Sequence, residues 1–408
     1  MDMANKIYPR LVSKEIIKYL DDDNIIVLHG ARQVGKSHIL FWLKNYLESK
    51  KEIVHYIDLE DSRFADILDS GHEEFIKLLR EEGSPLEKQR VFVFIDEIQY
   101  LEKPSPFLKI IADHYKNIKL VVSGSSSFEI KSKFSDSLVG RTVNFEVFNL
   151  SFEEFLLFKG VSFENGKKIS FTEKKINELK NLFEEYVLCG GYPRIVLEPE
   201  LEKKEKYLQQ IIDTYVKKDI RDLAGVKDIE KFNKLLEALA SQSGNLLNVT
   251  ELSNICKIAK QTVERYLFIM ENTYILKLVR PYSKNIRSEL FHLPKIYFYD
   301  TGMMQLLWLK NFQKMIIGNV METAIFSELV KKYGKNSIFY WRTTDKKEID
   351  FILKTKNKIL PIEVKLNFKQ FDATAIKYFN QKYNNQNYRV VGLNGKNKSK
   401  NSYYPWEI

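Results

Sequence analysis

The sequence predicts an α/β protein of several domains, the first of which is a parallel sheet flanked by helices. Three observations lead to this fold class. A glycine-rich turn near residue 30 follows a short β-branched strand and opens an amphipathic helix. Two further mostly apolar runs, typical of parallel strands buried on both faces, end in carboxylates or hydroxyls. The length of 408 residues exceeds one hydrophobic core, since domains average about 150 residues.

Composition excludes several classes of protein. With 44% hydrophobic and 29% charged residues, the chain is neither disordered nor collagen-like. No apolar run approaches the ~20 residues needed to cross a bilayer, and no apolar signal core follows Met1. Cys189 and Cys256 are the only cysteines, and the six histidines are scattered, so any metal should be a hard cation held by carboxylates. We therefore expect a cytoplasmic protein without a membrane segment.

The clearest motif is GARQVGKS, from Gly30 to Ser37, which matches G-x-x-x-x-G-K-[ST]. Its glycines let backbone amides curl around a phosphate at a helix N-terminus, where partial positive charge favours an anion. We expect Lys36 to reach the β- and γ-phosphates and Ser37 to bind Mg²⁺, which makes ATP and Mg²⁺ the predicted cofactors. The alternative, a glycine turn beside a chance Lys-Ser pair, fits the flanking strand and helix poorly. The predicted nucleotide-binding residues are Gly30, Ala31, Arg32, Gln33, Val34, Gly35, Lys36, Ser37 and His38.

The strand that begins at Val91 is wholly apolar until it ends in Asp96 and Glu97. Carboxylates at the end of a buried parallel strand lie at the crevice where such sheets bind ligands. We expect Asp96 to hold the magnesium hydration shell and Glu97 to polarise the attacking water. A strand that simply ends in a polar turn is the alternative, and the preceding phosphate-binding loop favours the catalytic interpretation.

A third apolar strand, 118–122, leads into hydroxyl side chains that end with Ser127. Ser125 is predicted to contact the γ-phosphate or the water, and Ser123 is the second choice. A Ser/Gly turn without function remains equally open, because turns favour the same residues. Arg141 follows Gly140, and we predict that it stabilises transition-state charge, either in cis or in trans.

In the middle of the chain, the sequence predicts first a set of helices and then the order of elements found in a winged helix. Apolar residues at helical spacing over 171–222 predict a lid or linker. Segments 251–256 and 259–267 predict two helices around a tight turn, and 275–280 alternates like a strand. This order is that of a winged helix, which can contact DNA or only protein. The exposed candidates on its second helix are Lys260, Gln261, Thr262 and Arg265.

The net charge of +10 is concentrated at the C-terminal end. From Asn319 onward lie 17 of the 64 Lys and Arg residues and 8 of the 54 Asp and Glu residues, which leaves 47 against 46 elsewhere. Such a region is typical of a surface that neutralises phosphates, and a Lys-rich solvated face would produce the same excess.

This basic region contains an acid–acid–lysine pattern. Asp350 begins one apolar strand, and Glu363 and Lys365 lie two apart, hence on one face, in the next strand. A hairpin around 354–358 would bring Asp350 beside Glu363. Two carboxylates so placed bind Mg²⁺ or Mn²⁺, and the lysine orients the attacking water, as in D…E-x-K nucleases. Glu322, on the preceding helix, is a further candidate acid. A buried ion-pair network in a domain that only binds nucleic acid or a partner is the alternative.

Six motifs, taken together, indicate a resemblance to a known family. The motifs, in order, are GARQVGKS, VFVFIDEIQYL, VVSGSSS, SLVGR, NLSFEEFL and GGYPRIV. Over essentially its whole length the chain resembles AAA-type P-loop ATPases of archaea and bacteria that carry a C-terminal domain of unknown function (DUF4143-like). These are related to the archaeal ATPases and STAND-type NTPases. The resemblance implies a P-loop ATPase domain at 1–160, a helical lid or linker at 161–225, a winged helix at 226–300 and a restriction-endonuclease-like PD-(D/E)XK domain at 301–408.

The sequence therefore predicts an ATP-hydrolysing, Mg²⁺-dependent molecular switch associated with nucleic acid, with duplex or branched DNA as the candidate partner. The alternative is a regulatory or scaffold NTPase that acts on protein partners and whose nuclease-like domain is catalytically silent. A small-molecule kinase is disfavoured because the later domains show no apolar pocket signal. The sequence leaves nuclease activity and the oligomeric state open.

Overall fold

The computed structural model describes residues 7–124, 138–162, 171–283, 293–356, 358–395 and 399–408. The chain forms two compact units, residues 1–148 and 149–408. The first domain was predicted to end at residue 160, but residues 149–160 belong to the second unit. The reason is local bonding: the Leu150 carbonyl accepts hydrogen bonds from Tyr186 and Lys331, and Asn149 binds Asp300.

The first unit is a five-stranded parallel sheet in the order β2-β3-β4-β1-β5, flanked by helices, as predicted. Its strands are β1 (Ile25–Gly30), β2 (Ile53–Asp58), β3 (Val91–Asp96), β4 (Ile118–Gly124) and β5 (Thr142–Val147). Its helices are α1 (Leu11–Ile17), α2 (Lys36–Ser49), α3 (Ser62–Asp69), α4 (His72–Glu81) and α5 (Pro104–His114). Every residue of β3 and β4 is buried, which explains why both strands are apolar apart from Asp96 of β3 and Lys119 and Ser123 of β4.

The strand order determines which loops meet at the carboxyl edge of this sheet. β4 lies between β1 and β3, so one strand separates the glycine-rich turn from the acids that end β3. Ser123 of β4 is level with Leu28 of β1, and Val122 is level with Ile95 of β3. The ends of the three strands that carry predicted site residues therefore lie side by side.

The second unit begins with helices and continues into a helix-turn-helix. Its first helices are α6 (Phe152–Phe158), α7 (Glu173–Cys189), α8 (Pro193–Leu197), α9 (Leu201–Tyr215), a π-helical segment (Val216–Leu223) and α10 (Ile229–Ser241). Next come α11 (Val249–Cys256), α12 (Lys260–Asn272) and the antiparallel strands β6 (Leu276–Val279) and β7 (Lys295–Phe298). The predicted order of helix, turn, helix and strand is thus present.

The C-terminal part is a mixed sheet with helices. Its elements are α13 (Thr301–Leu309), α14 (Gly318–Tyr333), β8 (Ile338–Arg342), β9 (Glu348–Lys354), β10 (Ile359–Asn367), α15 (Thr374–Tyr383), β11 (Arg389–Asn394) and β12 (Ser402–Tyr403). The sheet order is β12-β11-β10-β9-β8, with β9 and β10 antiparallel and β10 and β11 parallel. Across the described ranges, no helix has the length and apolar character required of a bilayer span.

A buried carboxylate accounts for Gly190, the first of the two glycines that follow α7. Asp300 accepts hydrogen bonds from the backbone N–H of Gly191 at 2.8 Å, from that of Met303 at 2.7 Å and from the Asn149 amide. Gly190 has φ +83°, and a Cβ placed there would lie 2.3 Å from Asp300 Oδ1. Burial raises the pKa of Asp300 above its ordinary value, and the three donors oppose this shift. Position 190 therefore requires glycine for two reasons: its φ is positive, and a Cβ there would clash with the Asp300 carboxylate.

Replacing this glycine should destabilise the second unit. We expect Gly190→Ala to lower the free energy of unfolding by at least about 2 kcal/mol, because strain at positive φ adds to the clash with Asp300. Differential scanning calorimetry measures the change. Gly160→Ala is the matched control, since Gly160 also has positive φ but nothing within 4 Å of its Cβ position, and should cost about 1 kcal/mol. Equal losses in both variants would contradict the role assigned to Asp300.

Candidate functional site

The glycine-rich turn has the geometry of a phosphate cradle. It connects β1 to α2, and Gly35 immediately before α2 adopts φ +96°. A Cβ on Gly30 would lie 2.0 Å from the Val147 carbonyl oxygen of β5, so only glycine fits there. Lys36 is 5% exposed, and its ammonium donates to the carbonyls of Gly30 at 3.1 Å and Ala31 at 2.8 Å. The ammonium therefore lies over the turn, and it would have to leave these two carbonyls to contact a bound phosphate.

The remaining predicted nucleotide-binding residues surround the start of α2. Gln33 adopts φ +60°, a left-handed conformation that tightens the turn. Val34 is buried, Ser37 is half-buried, and Gln33 and His38 are exposed. The structure therefore brings the turn residues and Ser37 together at one helix N-terminus.

Arg10 supports this turn and was missed by sequence reasoning. Its guanidinium is 6% exposed and donates to the Val34 carbonyl at 2.7 Å and to the Phe148 carbonyl at 2.9 Å. These two bonds connect the tip of the turn to the residue that follows β5. No local motif marks Arg10, which precedes the start of the turn at Gly30 by twenty positions.

Asp96 and Glu97 lie at the same carboxyl edge of the sheet as the turn. Asp96 is 3% exposed and accepts hydrogen bonds from the Tyr56 hydroxyl at 2.8 Å and from the Ser123 hydroxyl. Burial, followed by the Asp96 carboxylate, raises the pKa of Tyr56, so its hydroxyl remains a donor. Glu97 adopts φ +56°, and its carboxylate accepts from the Gln99 amide.

Of the two serines predicted after the apolar part of β4, the structure describes Ser123 and not Ser125. Ser123, the second choice, is fully buried and bound to Asp96, which assigns it to the support of that carboxylate. Ser125, the predicted contact to the γ-phosphate or the water, lies outside the described residues.

Arg141 does not join the other predicted residues of the first unit. Its carbonyl accepts a hydrogen bond from the Ile25 N–H at 2.8 Å, so Arg141 lies at the amino-terminal edge of the sheet. The five residue steps from Ile25 to Gly30 place it roughly 17 Å from the glycine-rich turn. Its guanidinium pairs with Asp113 at 2.8 Å. This placement offers no support for action on its own site, because the strand separates the two, and action in trans stays a prediction.

The acid–lysine residues of the C-terminal part lie on one hairpin, as the sequence predicted. Ile362 of β10 faces Phe351 of β9, which brings Glu363 opposite Asp350. The Lys365 ammonium lies 2.6 Å from Glu363 Oε2 and 3.5 Å from Asp350 Oδ2. Asp350 Oδ2 also accepts from the Val364 N–H at 2.7 Å.

Burial, and then the nearness of other acids, raises the pKa of two carboxyl groups in this cluster. Burial, followed by the Asp350 carboxylate, raises the pKa of Glu363 to about 8 and that of Glu322 to about 7. A raised pKa means that burial disfavours the ionised form, and a divalent cation bound here would favour that form instead, because carboxylates bind metal when ionised. Within the described part of the chain, however, no group of three or more His, Cys, Asp or Glu side chains is arranged to hold a metal ion.

Two residues of this cluster, Lys295 and Tyr297, were not predicted. Lys295 of β7 is 4% exposed, and its ammonium lies 3.2 Å from Glu322 Oε1 and 2.5 Å from Glu348 Oε1. Tyr297 of the same strand donates its hydroxyl to Glu322 Oε1. The one available signal was a lysine at the start of the apolar run IYFY, in a segment assigned to a different domain.

The second helix of the helix-turn-helix presents a mixed surface. Lys260, Gln261 and Arg265 are exposed, as expected, and Thr262 is half-buried. Arg265 also donates to the Ala224 carbonyl at 3.3 Å, and the acidic Glu264 is exposed between these residues. The face is therefore not uniformly basic.

Comparison with known proteins follows this division of the chain. Residues 22–156 match the family described as AAA domain, and residues 180–315 and 317–407 match families described as domains of unknown function (DUF8612 and DUF4143). The predicted resemblance to an AAA domain followed by a C-terminal DUF4143 domain is thereby confirmed.

Similar proteins occur in bacteria and archaea. An uncharacterized protein of Haemophilus influenzae is 27% identical, over 86% of this chain and 84% of that protein. An uncharacterized protein of Methanocaldococcus jannaschii is 26% identical, over 88% of this chain and 78% of that protein. Among solved structures, a Walker-type ATPase of Pyrococcus abyssi is 14% identical, with a TM-score of 0.47 over 74% of this chain and 96% of that one.

Arg10 offers a test of the turn geometry. We expect Arg10→Met to weaken binding of a fluorescent ATP analogue about tenfold, because two charge-assisted hydrogen bonds that shape the turn are lost. The matched control is Arg63→Met, which removes an arginine that is 84% exposed and paired with Asp61 in the same unit. Unchanged affinity in folded Arg10→Met would show that the turn keeps its shape without this residue.

Proposed function

We propose that the first unit binds and hydrolyses ATP with Mg²⁺. The observation that carries this proposal is the common location of the glycine-rich turn, Asp96 and Glu97 at the carboxyl edge of one parallel sheet, one strand apart. The match of residues 22–156 to an AAA domain supports it.

Each residue of the proposed ATP site has a role that follows from its chemistry. Backbone amides of the turn and the N-terminus of α2 bind the phosphates, and Lys36 exchanges its two carbonyl partners for phosphate oxygens. Ser37 and Asp96 offer the hard oxygen ligands that Mg²⁺ prefers, and bound Mg²⁺ would neutralise charge on the phosphates. Glu97 orients the attacking water after its carboxylate leaves Gln99.

We further propose that the C-terminal acidic site acts on the phosphodiester bonds of DNA, so that the protein is an ATP-dependent switch associated with nucleic acid. Asp350 and Glu363 would hold Mg²⁺ or Mn²⁺, and Lys365 would orient the attacking water. Support comes from the contact of Lys365 with both acids, from the raised pKa of Glu363 and from the basic surroundings.

A specific observation favours a second candidate function. The ammonium groups of Lys295 and Lys365 already neutralise acids of this cluster, and the described residues include no ready three-ligand metal group. Such a network suits a structural domain of a regulatory NTPase that acts on protein partners. The two functions differ in whether DNA is bound and cut.

Two substitutions separate binding from hydrolysis in the first unit. We expect Lys36→Ala to abolish ATP binding, because the phosphates lose their cation. Glu97→Gln should retain binding but slow hydrolysis about 10²–10⁴-fold, since the water loses its base. Equilibrium binding and phosphate release measure these effects, with the exposed residues changed in Lys18→Ala and Glu60→Gln as controls. Normal turnover in both site variants would refute the proposal.

Plasmid cleavage in Mn²⁺ distinguishes the two functions proposed for the C-terminal site, a nuclease site and a structural ion-pair network. Asp350→Asn should reduce cleavage at least ~100-fold, because a carboxylate facing the metal is lost. Asp345→Asn is the control, since Asp345 is 58% exposed and lies before the same strand. Duplex affinity should also fall steeply with salt. ATP turnover that DNA does not change, without cleavage or salt-dependent binding, would instead favour the partner-binding switch.

A further inference from the structure

The two oxygens of the Asp96 carboxylate differ in how many donors they already accept. A carboxylate offers about four lone-pair positions, two on each oxygen. Counting donors from the described part of the chain, Oδ1 accepts from the Ser123 hydroxyl and, at 3.1 Å, from the Glu97 N–H. Oδ2 accepts only from the Tyr56 hydroxyl, at 2.8 Å. The oxygen with room for a cation or a water is therefore Oδ2, the one that Tyr56 holds.

Tyr56 reaches this oxygen from the edge strand of the sheet. Tyr56 of β2 is level with Phe94 of β3, and Asp96 lies two residues further along β3. Level residues of paired strands point to the same face, and so do residues two apart on one strand, so Tyr56 and Asp96 share a face. An aromatic side chain spans the diagonal distance of roughly 7–8 Å between such positions. The hydroxyl therefore contacts Asp96 across the strand pair.

A second aromatic side chain fixes the Tyr56 ring. Phe41 of α2 stacks on it, with 4.4 Å between ring centroids and 24° between ring planes. Phe41 lies four residues after Ser37, so the two are neighbours on one face of α2, a helical turn apart. The stack thus connects α2 to the hydroxyl that holds Asp96. Because Ser37 and Asp96 are the side chains proposed to bind Mg²⁺, the aromatic pair links the two elements that carry them.

We propose that Tyr56 is a positioning residue of the ATP site, which directs Asp96 Oδ2 toward Mg²⁺ and, through Phe41, keeps it in place relative to α2. The inference rests on the proposed binding of ATP with Mg²⁺. Hydrogen bonds to a metal-binding carboxylate fix its orientation and contribute to metal affinity without touching the metal. A tyrosine hydroxyl does this without adding charge, so Asp96 keeps the negative charge that attracts the cation.

The dependence of nucleotide binding on Mg²⁺ tests this inference in the full chain. The probe is a fluorescent, non-hydrolysable ATP analogue, whose affinity is measured in EDTA and over a range of Mg²⁺ concentrations. We expect Tyr56→Phe to raise the half-saturating Mg²⁺ concentration about tenfold, since Asp96 Oδ2 is no longer held. The affinity in EDTA should stay unchanged, because Tyr56 acts on the metal-binding carboxylate and not on the phosphates.

Three further variants complete the test. In an Asp96→Asn background, Tyr56→Phe should add less than about twofold, because Tyr56 acts through Asp96. Phe41→Leu should raise the half-saturating Mg²⁺ concentration roughly threefold, since the ring stack is lost while the hydroxyl remains. The matched control is Tyr46→Phe, because Tyr46 lies on the same helix and stacks on Trp42. That change should leave the Mg²⁺ requirement unaltered.

The outcomes separate this inference from the function on which it rests. No binding of the analogue by the unsubstituted chain, or binding that Mg²⁺ does not affect, would overturn both. If Mg²⁺ strengthens binding and Asp96→Asn weakens that effect, the inference alone is overturned by an unchanged Mg²⁺ requirement in Tyr56→Phe. An equal loss in the Asp96→Asn background, or in EDTA, also overturns it. If Tyr56→Phe fails to fold by thermal melting, Phe41→Leu decides the inference, and an unchanged Mg²⁺ requirement in that variant counts against it.

Discussion

Each buried charge in this protein must have partners, and this constraint determines how both units are assembled. An ionised group removed from water without compensation costs several kcal/mol. In the first unit Asp96 is paired by two hydroxyls from neighbouring strands. In the second, Asp300 collects amide donors from three separate segments, and Lys295 lies between two carboxylates. Segments far apart in the chain come together at these points.

At the proposed nucleotide site, this pairing yields an edge with one carboxylate held in place, Asp96, and two charged side chains, Lys36 and Glu97, whose partners a ligand could replace. Asp96 is held by Tyr56 and Ser123, so its position does not depend on a ligand. Lys36 and Glu97, in contrast, make bonds to nearby groups that a nucleotide and a water would replace. The division between fixed and exchangeable contacts is what a binding site for a charged ligand requires, because the ligand then replaces existing bonds without having to order the loop.

In the second unit, pairing of charge extends the acidic site beyond the hairpin that carries its motif. Asp350, Glu363 and Lys365 lie on β9 and β10, while Lys295 and Tyr297 reach Glu322 from β7. The contacts of Lys295 and Lys365 have two opposite implications for the binding of a metal ion. They stabilise the carboxylates in place, which favours an ordered site, and they neutralise charge that a metal would otherwise neutralise. The acidic site thus includes residues of β7, the strand that pairs with β6 directly after the helix-turn-helix.

The sequence by itself determined the features that depend on local chemistry: the phosphate-binding turn, the buried parallel strands, the helix-turn-helix order and the hairpin that pairs Asp350 with Glu363. Turn residues and periodicities of two or 3.6 encode these directly. Only the tertiary structure decided that Arg10 supports Val34, that Lys295 contacts Glu322 and that Arg141 lies at the far edge of the sheet. These pairs are separated by 24 and 27 residues, or by the length of a strand, and no local pattern specifies which distant polar group will satisfy a buried charge. The boundary near residue 148 has the same origin, since the partners of Asn149 and Leu150 lie far along the chain.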